Sequence, residues 1–542
     1  MAHHSSALSA VVAPRSRFYQ GPFGRLCPDL PAWSPPGVAP QDVEDFFFAF
    51  ATERMVELPG VSPGEIAADS ARTRALSKEF GTGDDADPST GIPAAYTYFG
   101  QFIDHDVTFD PTPLNMRNID PERLLNFRTP RLDLDNVYGR GPADQPYLYD
   151  KNDRAKLQIG AIRLPEEEQK DDCVRFGKLR DLPRDMNGVA LIGDMRNDEN
   201  SIVSQLQLAF MLAHNTLVDR ARAKGHDDPF ESARRTLRWL YQWIVWHDFI
   251  QRVTIDEVQS CALSLEKTCG GMQRWDCGLD FVYNWKSQPF MPVEFSAAAY
   301  RFGHSMVRNG YQTNAPHRGF DIFAPIFDNS GGHPPGGPDD LRGFRPMLAR
   351  NVIQWDWFLK MRTSGGPFPQ RARKIDTKLA NALAFLFEGM TGERGNVLAF
   401  RNLLRGHSLG LPSGAAMARK YCIKEVSLKE GEPESLWYYI LREAETLPGK
   451  NAGQMLGRLG SVIVCATFAG LLKGDPHSWL NVDPCWTPDQ DDLLCSGQDN
   501  QDADDGAWEL SSIIRLAGLP VNDDDVSAQT EGEFPDVATC GA

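Results

Sequence analysis

The stretch from Val203 to Leu217, VSQLQLAFMLAHNTL, has apolar residues at steps of three and four: Val203, Leu206, Phe210, Ala213 and Leu217. This period places the apolar side chains on one face of an α-helix. A second helix is predicted over residues 234–250, RRTLRWLYQWIVWHDFI, and further helices near 376–390 and 454–472. Because strand-like alternation is scarce, the sequence predicts a mainly α fold with very little β structure.

The length and charge of the chain limit the functions it can have. With 542 residues and a hydrophobic content of 42%, the chain is long enough to enclose one large core. A formal net charge of −17 argues against a general affinity for nucleic acid, because phosphate binding needs clustered Lys and Arg. We find no uninterrupted apolar stretch of about 18 residues that would span a membrane. These features favour a soluble protein that acts on a small molecule.

Composition divides the chain into three parts. Residues 1–80 are rich in Pro and small residues and are predicted to form an irregular N-terminal arm around the core. Residues 81–475 are predicted to form a single catalytic domain, with an exposed loop at the Gly- and Pro-rich residues 329–343. Residues 476–542 are rich in Asp and are predicted to form an acidic extension, either a solvated tail or a cap.

The N-terminus and the cysteines carry weaker signals. The opening MAHHSSALSAVVAPRSRF has no basic start before an apolar run, so it does not resemble a secretory signal, and the predicted location is cytoplasmic or non-classically secreted. The absence of acidic residues before Asp29 is a weak feature of a transit peptide. None of the ten cysteines forms a Cys-x-x-Cys pair, so we expect buried or free thiols.

Residues 98–107, YFGQFIDHDV, hold the first candidate site. If this stretch is helical, Gln101, Asp104 and His105 share one face, while Asp106 points about 100° away. A histidine beside an iron-bound peroxide can take the proton from one oxygen and return it to the other. The alternative is a histidine flanked by carboxylates at the protein surface.

Residues 193–200, GDMRNDEN, lie directly before the first predicted helix. Arg196 and Glu199 could share a face there. A fixed guanidinium stabilises the negative charge that develops on a departing peroxide oxygen. Taken alone, the two residues would be a surface ion pair.

Residues 300–305, YRFGHS, contain His304 in an aromatic setting. A neutral imidazole is a frequent axial ligand of haem iron, and Arg301 could pair with a haem propionate. Gly303 would allow a flat cofactor to approach closely. The alternative is a histidine packed in the core.

Residues 126–139, NFRTPRLDLDNVYG, are rich in oxygen ligands. In an extended loop Asp133 and Asp135 project to the same side, and Thr129 and backbone carbonyls complete a set suited to Ca²⁺. The alternative is a turn before a helix, with the acidic residues capping the helix.

Together and in this order, the four segments resemble the animal haem peroxidases of the peroxidase-cyclooxygenase superfamily. FGQFIDHDVTF is similar to the distal helix of the family, LDLDNVYG to its calcium loop, GDMRNDEN to its distal arginine segment and YRFGHSM to its proximal helix. The resemblance extends from about residue 90 to residue 425, with further similarity in AHNTLVDRA and NLLRGHSLGLPSG. Each motif alone is weakly specific, but four in sequence with haem-compatible roles are specific.

The resemblance implies a role for each matching residue. The implied distal catalytic residues are Gln101, His105 and Arg196, and the implied haem contacts are the iron ligand His304 and the propionate partner Arg301. Asp104 and Glu199 lie where family members form ester bonds to haem methyl groups. The implied calcium ligands are Asp106, Thr129, Arg131 through its carbonyl, Asp133 and Asp135.

Two positions depart from the family pattern. Asn200 stands where some members have the methionine that makes a sulfonium link to haem, so this third link is chemically excluded. Ala415 is aligned with an asparagine that accepts a hydrogen bond from the proximal histidine. Loss of that acceptor would make the His304 imidazole less electron-donating unless another group replaces it.

The resemblance implies a mostly helical domain that encloses haem b between the segments carrying His105 and His304. The implied reaction is reduction of H₂O₂ and oxidation of a small donor, such as halide, thiocyanate or a phenol, through a ferryl intermediate. One alternative is a fatty-acid dioxygenase or cyclooxygenase-like oxygenase, which would need a tyrosine three residues before His304, where the chain has Arg301. Another is a catalytically silent haem-binding or adhesion module, which we would expect to lack His105 or Arg196. The site therefore favours a peroxidase.

Overall fold

The computed structural model describes residues 21–56, 89–110, 125–162, 179–267, 273–286, 289–314, 324–325, 340–348, 351–362, 369–384, 386 and 394–526. Within these residues the α-helices are α1 Val43–Phe50, α2 Ala95–Val107, α3 Asp135–Tyr138, α4 Ser201–Ala223, α5 Pro229–Ile244, α6 Gln251–Val253, α7 Asp256–Ala262, α8 Val293–Ser296, α9 Leu398–Ser408, α10 Gly414–Lys420, α11 Leu436–Glu445, α12 Arg458–Gly474, α13 Trp479–Val482, α14 Leu510–Ala517 and α15 Asp523–Val526.

Shorter helical turns connect these helices. The 3-10 turns are Pro40–Asp42, Pro146–Leu148, Met195–Asp198, Ala299–Met306, Trp355–Trp357, Asn381–Ala384, Gly449–Asn451 and Pro488–Gln490. Two π-helical turns, Ala51–Met55 and Val245–Ile250, continue α1 and α5 directly. The chain is mainly α-helical, as predicted from the apolar period.

The strands are short and pair in small sheets. They are β1 Gly21–Gly24, β2 Ser89–Pro93, β3 Leu125–Asn126, β4 Ser264–Lys267, β5 Gln273–Asp276, β6 Met291–Pro292, β7 Gly310–Tyr311, β8 Ala324–Pro325 and β9 Arg371–Arg373. β1 pairs antiparallel with β3, in the register Gly21 to Asn126, and parallel with β6. β2–β9, β4–β5 and β7–β8 are antiparallel pairs. β1 therefore fastens the start of the described chain to two distant segments.

The long helix α4 lies at the centre of the molecule and contacts α2, α5 and α14. Asn200 caps its start, because its side-chain oxygen accepts hydrogen bonds from the backbone N–H groups of Ile202 at 3.1 Å and Val203 at 2.9 Å. Asp228 caps α5 in the same way by accepting from the N–H of Glu231 at 3.0 Å. These caps explain where the two predicted helices begin.

Aromatic packing fixes α2 on α4. The rings of Phe102 and Phe210 are stacked with their centroids 4.6 Å apart, and Tyr241 of α5 packs edge-on against Phe210 at 5.6 Å. All three side chains are fully buried. Burial of each such ring contributes on the order of 2 kcal/mol. The position of α2 matters because the helix carries the first candidate site in its last turns.

The ends of the described chain also pack on the core. In the predicted N-terminal arm, α1 is helical and its Phe47 is fully buried near α9. In the predicted acidic extension, α14 packs against α4, and Thr216 donates a hydrogen bond to the carbonyl of Leu516 at 2.9 Å. An ion pair of 2.6 Å joins Arg220 to Asp499. The described part of the extension therefore contributes buried side chains to the same hydrophobic core.

One predicted helix is wrong. Near residues 376–390 the described residues contain only the 3-10 turn at residues 381–384. Within this range Leu379 forms a parallel bridge with Val56, and its N–H donates to the Met55 carbonyl at 3.0 Å. Backbone groups used in these contacts are not free for a helical ladder.

Other predictions lie partly or wholly outside the described residues. The N-terminal stretch considered as a signal or transit peptide lies within residues 1–20, which are outside the described residues. Most of the predicted loop at 329–343 is outside them as well. Within the described residues no helix has the length and apolar character needed to cross a membrane. The cysteines of these residues, Cys27, Cys261, Cys277, Cys422, Cys465, Cys485 and Cys495, are free thiols, as expected.

Candidate active site

His105 lies in the last turn of α2 and is 5% exposed. Burial, reinforced by the positive charge of Arg196, lowers the pKa of His105 to about 3, so the imidazole is neutral at pH 7. Its Nδ1 lies 2.7 Å from Oδ1 of Asn197. A neutral imidazole with one nitrogen held by the protein can exchange a proton through the other, Nε2.

Arg196 lies on the 3-10 turn that precedes α4 and packs against α2. Its Nε and Nη2 donate to the carboxylate of Asp194, at 3.1 Å and 2.7 Å. Nη2 also donates to the backbone carbonyls of His105 at 3.1 Å and Thr108 at 2.7 Å. These bonds fix the guanidinium beside the end of α2. Nη1 makes no hydrogen bond to the described residues, so it is available to a ligand.

Gln101 lies one turn before His105 and contacts both residues that follow the arginine turn. Its Nε2 donates to Oε1 of Glu199, and its Oε1 accepts from Nδ2 of Asn200 at 3.1 Å. Both ends of the Gln101 amide are therefore held. Asn200, at the position of the excluded sulfonium link, has two structural roles here: it orients Gln101 and caps α4.

Asp104 connects the distal and proximal sides of the site. Thr108 donates a hydrogen bond from Oγ1 to Oδ1 of Asp104 at 2.8 Å. Burial raises the pKa of this carboxyl, and the charges of Arg196 and Arg301 act in the opposite direction. Asp104 is therefore within electrostatic reach of one arginine from each side.

His304 lies on the 3-10 turn at residues 299–306, which packs against α2. Burial, together with the charges of Arg301 and Arg401, lowers the pKa of His304 to about 3. Its Nδ1 lies 2.8 Å from Nδ2 of Asn402 on α9. This imidazole is also neutral at pH 7, which is the form that binds a metal.

The contact with Asn402 corrects the alignment that placed Ala415 opposite the proximal histidine. Ala415 lies on α10, and the asparagine that contacts His304 is Asn402, 98 residues away in sequence. The NLLRGHSLGLPSG similarity already contained this residue, at its first position. Matching the end of that segment instead of its helical start gave the wrong position.

Arginine side chains gather beside His304. Arg301 donates from Nη1 to Oδ1 of Asn402 at 2.9 Å, and burial with the charge of Arg405 lowers the pKa of Arg301 to about 10. Burial also lowers the pKa of Arg405, whose Nη1 lies 3.7 Å from a carboxylate oxygen of Asp110. Buried cations of this kind are stabilised by anionic groups.

The residues around His304 fit a haem group. The two propionates of haem carry the negative charges that the Arg301 and Arg405 region favours, and the neutral imidazole of His304 suits axial ligation. A Cβ atom added to Gly303 would meet no atom within 4 Å, so open space lies next to the histidine. The predicted haem contacts are thus brought together on one side of α2.

Three carboxylates form a second cluster, and one of them, Asp106, follows His105 directly in α2. Carboxylate oxygens of Asp106, Asp133 and Asp135 all lie within 4.8 Å of one another. Leu134 has a left-handed conformation with φ of 59°, which turns the loop so that its two flanking aspartates face Asp106. Thr129 Oγ1 donates to Asp133 at 2.8 Å.

The charge balance of this cluster fits a bound cation. Asp106 is fully buried, and neither of its oxygens has a hydrogen-bond partner among the described residues. Burial and the charges of the other two aspartates raise its pKa well above the usual range. Arg128 pairs with Asp135 at 3.4 Å, so one cation already offsets part of the charge. Arg131 lies in the same turn, with its N–H bonded to the Thr129 carbonyl at 2.8 Å.

Tyr300 lies close to Asp104 and α2. Its hydroxyl is buried without a hydrogen-bond partner among the described residues, and burial and the charge of Asp104 raise its pKa well above 10. The oxygen lies 3.9 Å from where a Cβ of Gly100 would be. A tyrosine therefore borders the site, although Arg301 occupies the position three residues before His304.

The protein is similar in sequence to known peroxidases. It is 25% identical over 282 residues to chorion peroxidase of Drosophila melanogaster, covering 50% of this chain and 32% of that protein. It is 25% identical over 329 residues to thyroid peroxidase of Canis lupus familiaris, covering 57% and 31%. A peroxidase-like protein of Margaritifera margaritifera matches at 25% over 513 residues, covering 78% and 59%. The chain thus spans about a third to three fifths of these relatives.

Solved structures share the fold at lower identity. A fatty acid alpha-dioxygenase of Arabidopsis thaliana aligns with a TM-score of 0.50 and 13% identity, covering 89% of this chain and 80% of that one. The sequence profile of the family described as animal haem peroxidase matches residues 113–423, which include Arg196 and His304 and follow His105. Because this match covers more than half of the chain, the protein belongs to the animal haem peroxidase family.

Proposed function

We propose that the protein is a haem-dependent peroxidase that reduces H₂O₂ and oxidises a small donor such as halide, thiocyanate or a phenol. The observation that supports this most strongly is the neutral, buried imidazole of His105 next to the fixed guanidinium of Arg196. Family members generally bind haem, which supplies the iron that binds peroxide and stores its oxidising equivalents. The acidic and basic groups that peroxide cleavage needs come from the chain itself.

His105 is the proposed acid-base residue. At pH 7 its neutral Nε2 can take the proton of one peroxide oxygen and then give it to the other, which makes that oxygen a better leaving group. Arg196 is the proposed electrostatic partner, since its Nη1 can donate to the oxygen on which negative charge develops. The hydrogen bonds of Arg196 to α2 hold the two groups together, so little reorganisation is needed during the reaction.

His304 is the proposed iron ligand, through Nε2, with Asn402 orienting the ring. Arg301 is the proposed partner of a propionate, and Gln101 is the proposed third distal residue. Asp104 and Glu199 are the proposed carboxylates for ester bonds to haem, at most two in number, because Asn200 has no thioether sulfur.

Asp106, Asp133 and Asp135 are the proposed Ca²⁺ ligands, with Thr129 and the carbonyl of Arg131. Hard carboxylate oxygens are the ligands that Ca²⁺ prefers. A cation there would remove the repulsion among the three buried acids. Since Asp106 follows His105 directly in α2, the cation would also hold the helix end that carries the imidazole.

A fatty-acid oxygenase is the second candidate, favoured by the buried hydroxyl of Tyr300 beside Asp104. The two candidates differ in their substrates. The deciding experiment mixes the purified, haem-loaded protein with H₂O₂ and bromide, iodide, thiocyanate or a phenol, and separately with a fatty acid and O₂. We expect H₂O₂-dependent donor oxidation and no O₂ uptake. Uptake of O₂ with the fatty acid and no donor oxidation would overturn the peroxidase proposal.

A further inference from the structure

We infer that Asn197 and Gln207 are positioning residues that fix the tautomer of His105, with the proton on Nδ1 and the lone pair on Nε2. This inference rests on the proposed function for its catalytic meaning, because a general base must present a lone pair to the proton it removes. Neither Asn197 nor Gln207 is proposed to touch the reacting atoms. They act through the imidazole.

The three side chains form one connected hydrogen-bonded row. Oδ1 of Asn197 lies 2.7 Å from Nδ1 of His105, and Nδ2 of Asn197 donates to Oε1 of Gln207 at 2.7 Å. Gln207 lies two turns into α4, and Asn197 lies on the 3-10 turn that precedes it. The row therefore joins the imidazole to the central helix of the fold.

The row has a direction. Oε1 of Gln207 is an acceptor only, so the atom of Asn197 that faces it is the NH₂ donor. The other end of the same amide is then the carbonyl oxygen, which also accepts only. His105 must therefore donate an N–H from Nδ1 to this oxygen. Because a neutral ring has one N–H, Nε2 carries the lone pair.

Burial makes this direction costly to change. Asn197 and Gln207 are both fully buried, and His105 is 5% exposed. A buried polar group that loses its partner costs about 1–3 kcal/mol, and turning either amide alone would break at least one bond of the row. Only the reversal of both amides would keep the row intact, and it would move the proton of His105 to Nε2. Nε2 of Gln207 has no hydrogen-bond partner among the described residues, so no contact beyond the row holds the Gln207 amide in one orientation. An experiment therefore has to distinguish the two directions.

The test uses the haem-loaded protein in two measurements. The first is the C–O stretching frequency of the reduced protein with carbon monoxide bound to iron. An Nε2–H group would donate to the bound CO and lower this frequency below the value set by Arg196 Nη1, which every variant below keeps, whereas an Nε2 lone pair cannot donate. The second is the rate of reaction with H₂O₂ in stopped flow. For the wild type we expect a single band without the lowered component, and rapid reaction.

Variants at Asn197 separate tautomer control from packing. Asn197→Leu keeps the size but removes the acceptor, so we expect a second, lowered CO band and a rate that falls by roughly tenfold or more, up to the 10²–10⁴-fold worth of a positioned base. Asn197→Asp keeps the acceptor toward Nδ1, so we expect it to restore the single band and most of the lost rate. A single wild-type band and wild-type rate in haem-loaded Asn197→Leu would overturn the inference.

Variants at Gln207 serve if Asn197→Leu does not fold. Gln207→Glu offers only acceptors and locks the row in the inferred direction, so its CO band should match the wild type. Gln207→Met removes the acceptor and should add the lowered band. Gln205→Met is the matched control, since Gln205 is equally buried on α4 but donates to the carbonyl of Arg180 at 3.0 Å.

Two outcomes separate this inference from the proposed function. If the wild type carries the lowered CO band and Gln207→Glu removes it, the row runs the other way and the inference is wrong. If haem-loaded wild type does not react with H₂O₂ while the CO bands behave as expected, the positioning role stands and the peroxidase proposal fails.

Discussion

Each of the two candidate histidines contacts an asparagine amide, but the two amides present opposite atoms to the ring. His105 is buried and His304 is partly buried, both have a pKa lowered to about 3, and each has Nδ1 next to an asparagine amide. On the distal side the carbonyl oxygen of Asn197 faces the ring, because its NH₂ group is bonded to Gln207. On the proximal side the NH₂ group of Asn402 faces the ring, because Arg301 donates to its oxygen.

The difference shows how a neighbour two contacts away controls an imidazole. Gln207 accepts from the NH₂ group of Asn197, which leaves the Asn197 oxygen to face His105. Arg301 donates to the oxygen of Asn402, which leaves the Asn402 NH₂ group to face His304. If His304 ligates iron through Nε2, as proposed, its proton would lie on Nδ1, and Asn402 would have to present its oxygen instead of its NH₂ group. Arg301 would then need another anion, which a haem propionate would supply.

The largest effect is expected on the proximal side. His304→Ala removes the proposed axial ligand, so we expect most haem to be lost on purification and the remainder to be misligated. The ratio of Soret to protein absorbance measures the loss. Added imidazole should restore part of the haem binding by filling the space of the deleted ring. His477→Ala, at an exposed position, should keep the wild-type ratio. Normal haem content and spectrum in His304→Ala would show that another residue ligates the iron.

A large effect without haem loss is expected on the distal side. His105→Ala should keep haem, because the residue moves protons and does not ligate iron. Its reaction with H₂O₂ should slow by roughly 10²–10⁴-fold, the usual worth of a positioned acid-base group. Stopped-flow absorption of a haem-replete sample measures the rate. Unchanged kinetics would remove His105 from the acid-base role.

A more moderate effect, on haem retention and activity together, is expected at the cluster of Asp106, Asp133 and Asp135. Asp106→Asn removes one carboxylate charge at nearly constant size, so we expect lost calcium and lower haem retention and activity together. At a calcium concentration 100 times Kd, binding adds about 2.7 kcal/mol to the stability of the wild type, and the variant should lose this gain. Thermal melting with and without calcium measures it. Asp144→Asn, in an exposed pair with Arg140, is the control. Fully active protein without calcium on metal analysis would refute the site.

The smallest effect concerns how haem is attached. Asp104 and Glu199 are expected to form at most two ester bonds, driven by the peroxide chemistry of the enzyme itself. Haem that is extractable before H₂O₂ treatment should therefore become attached after it. Denaturing mass spectrometry of the wild type, Asp104→Ala and Glu199→Ala resolves each bond. Haem that stays fully extractable, or two single variants with the wild-type pattern, would rule out the ester assignment.

The sequence predicted the local parts of this arrangement better than the long-range parts. The period of the apolar residues located α4 and α5, because a helix repeats its contacts every three or four residues. The same rule was wrong near residues 376–390, where Leu379 pairs with the chain at Met55 and Val56. Tertiary contacts of this kind override local periodicity.

The partners of the two histidines show the same limit. Asn197 belongs to the GDMRNDEN motif and Asn402 begins the NLLRGHSLGLPSG similarity, so both residues were within quoted segments. Their roles depend on contacts across 92 and 98 residues, respectively. Gln207 gave no signal, since a glutamine among apolar residues of a helix does not reveal which side chain it meets. The proposed calcium ligands were easier to group from the sequence, because four of the five lie within one short loop, and calcium binding itself stays a prediction.

The proposed peroxide-cleaving site is tested most directly by stopped-flow absorption. Haem-loaded, calcium-replete wild-type protein is mixed with H₂O₂ and then with a donor. We expect a rapid change of the Soret band that depends on H₂O₂ concentration, followed by return to the starting spectrum when iodide, thiocyanate or a phenol is added. A fully loaded protein whose Soret band does not change with H₂O₂ would contradict the claim that His105 and Arg196 form a peroxide-cleaving site.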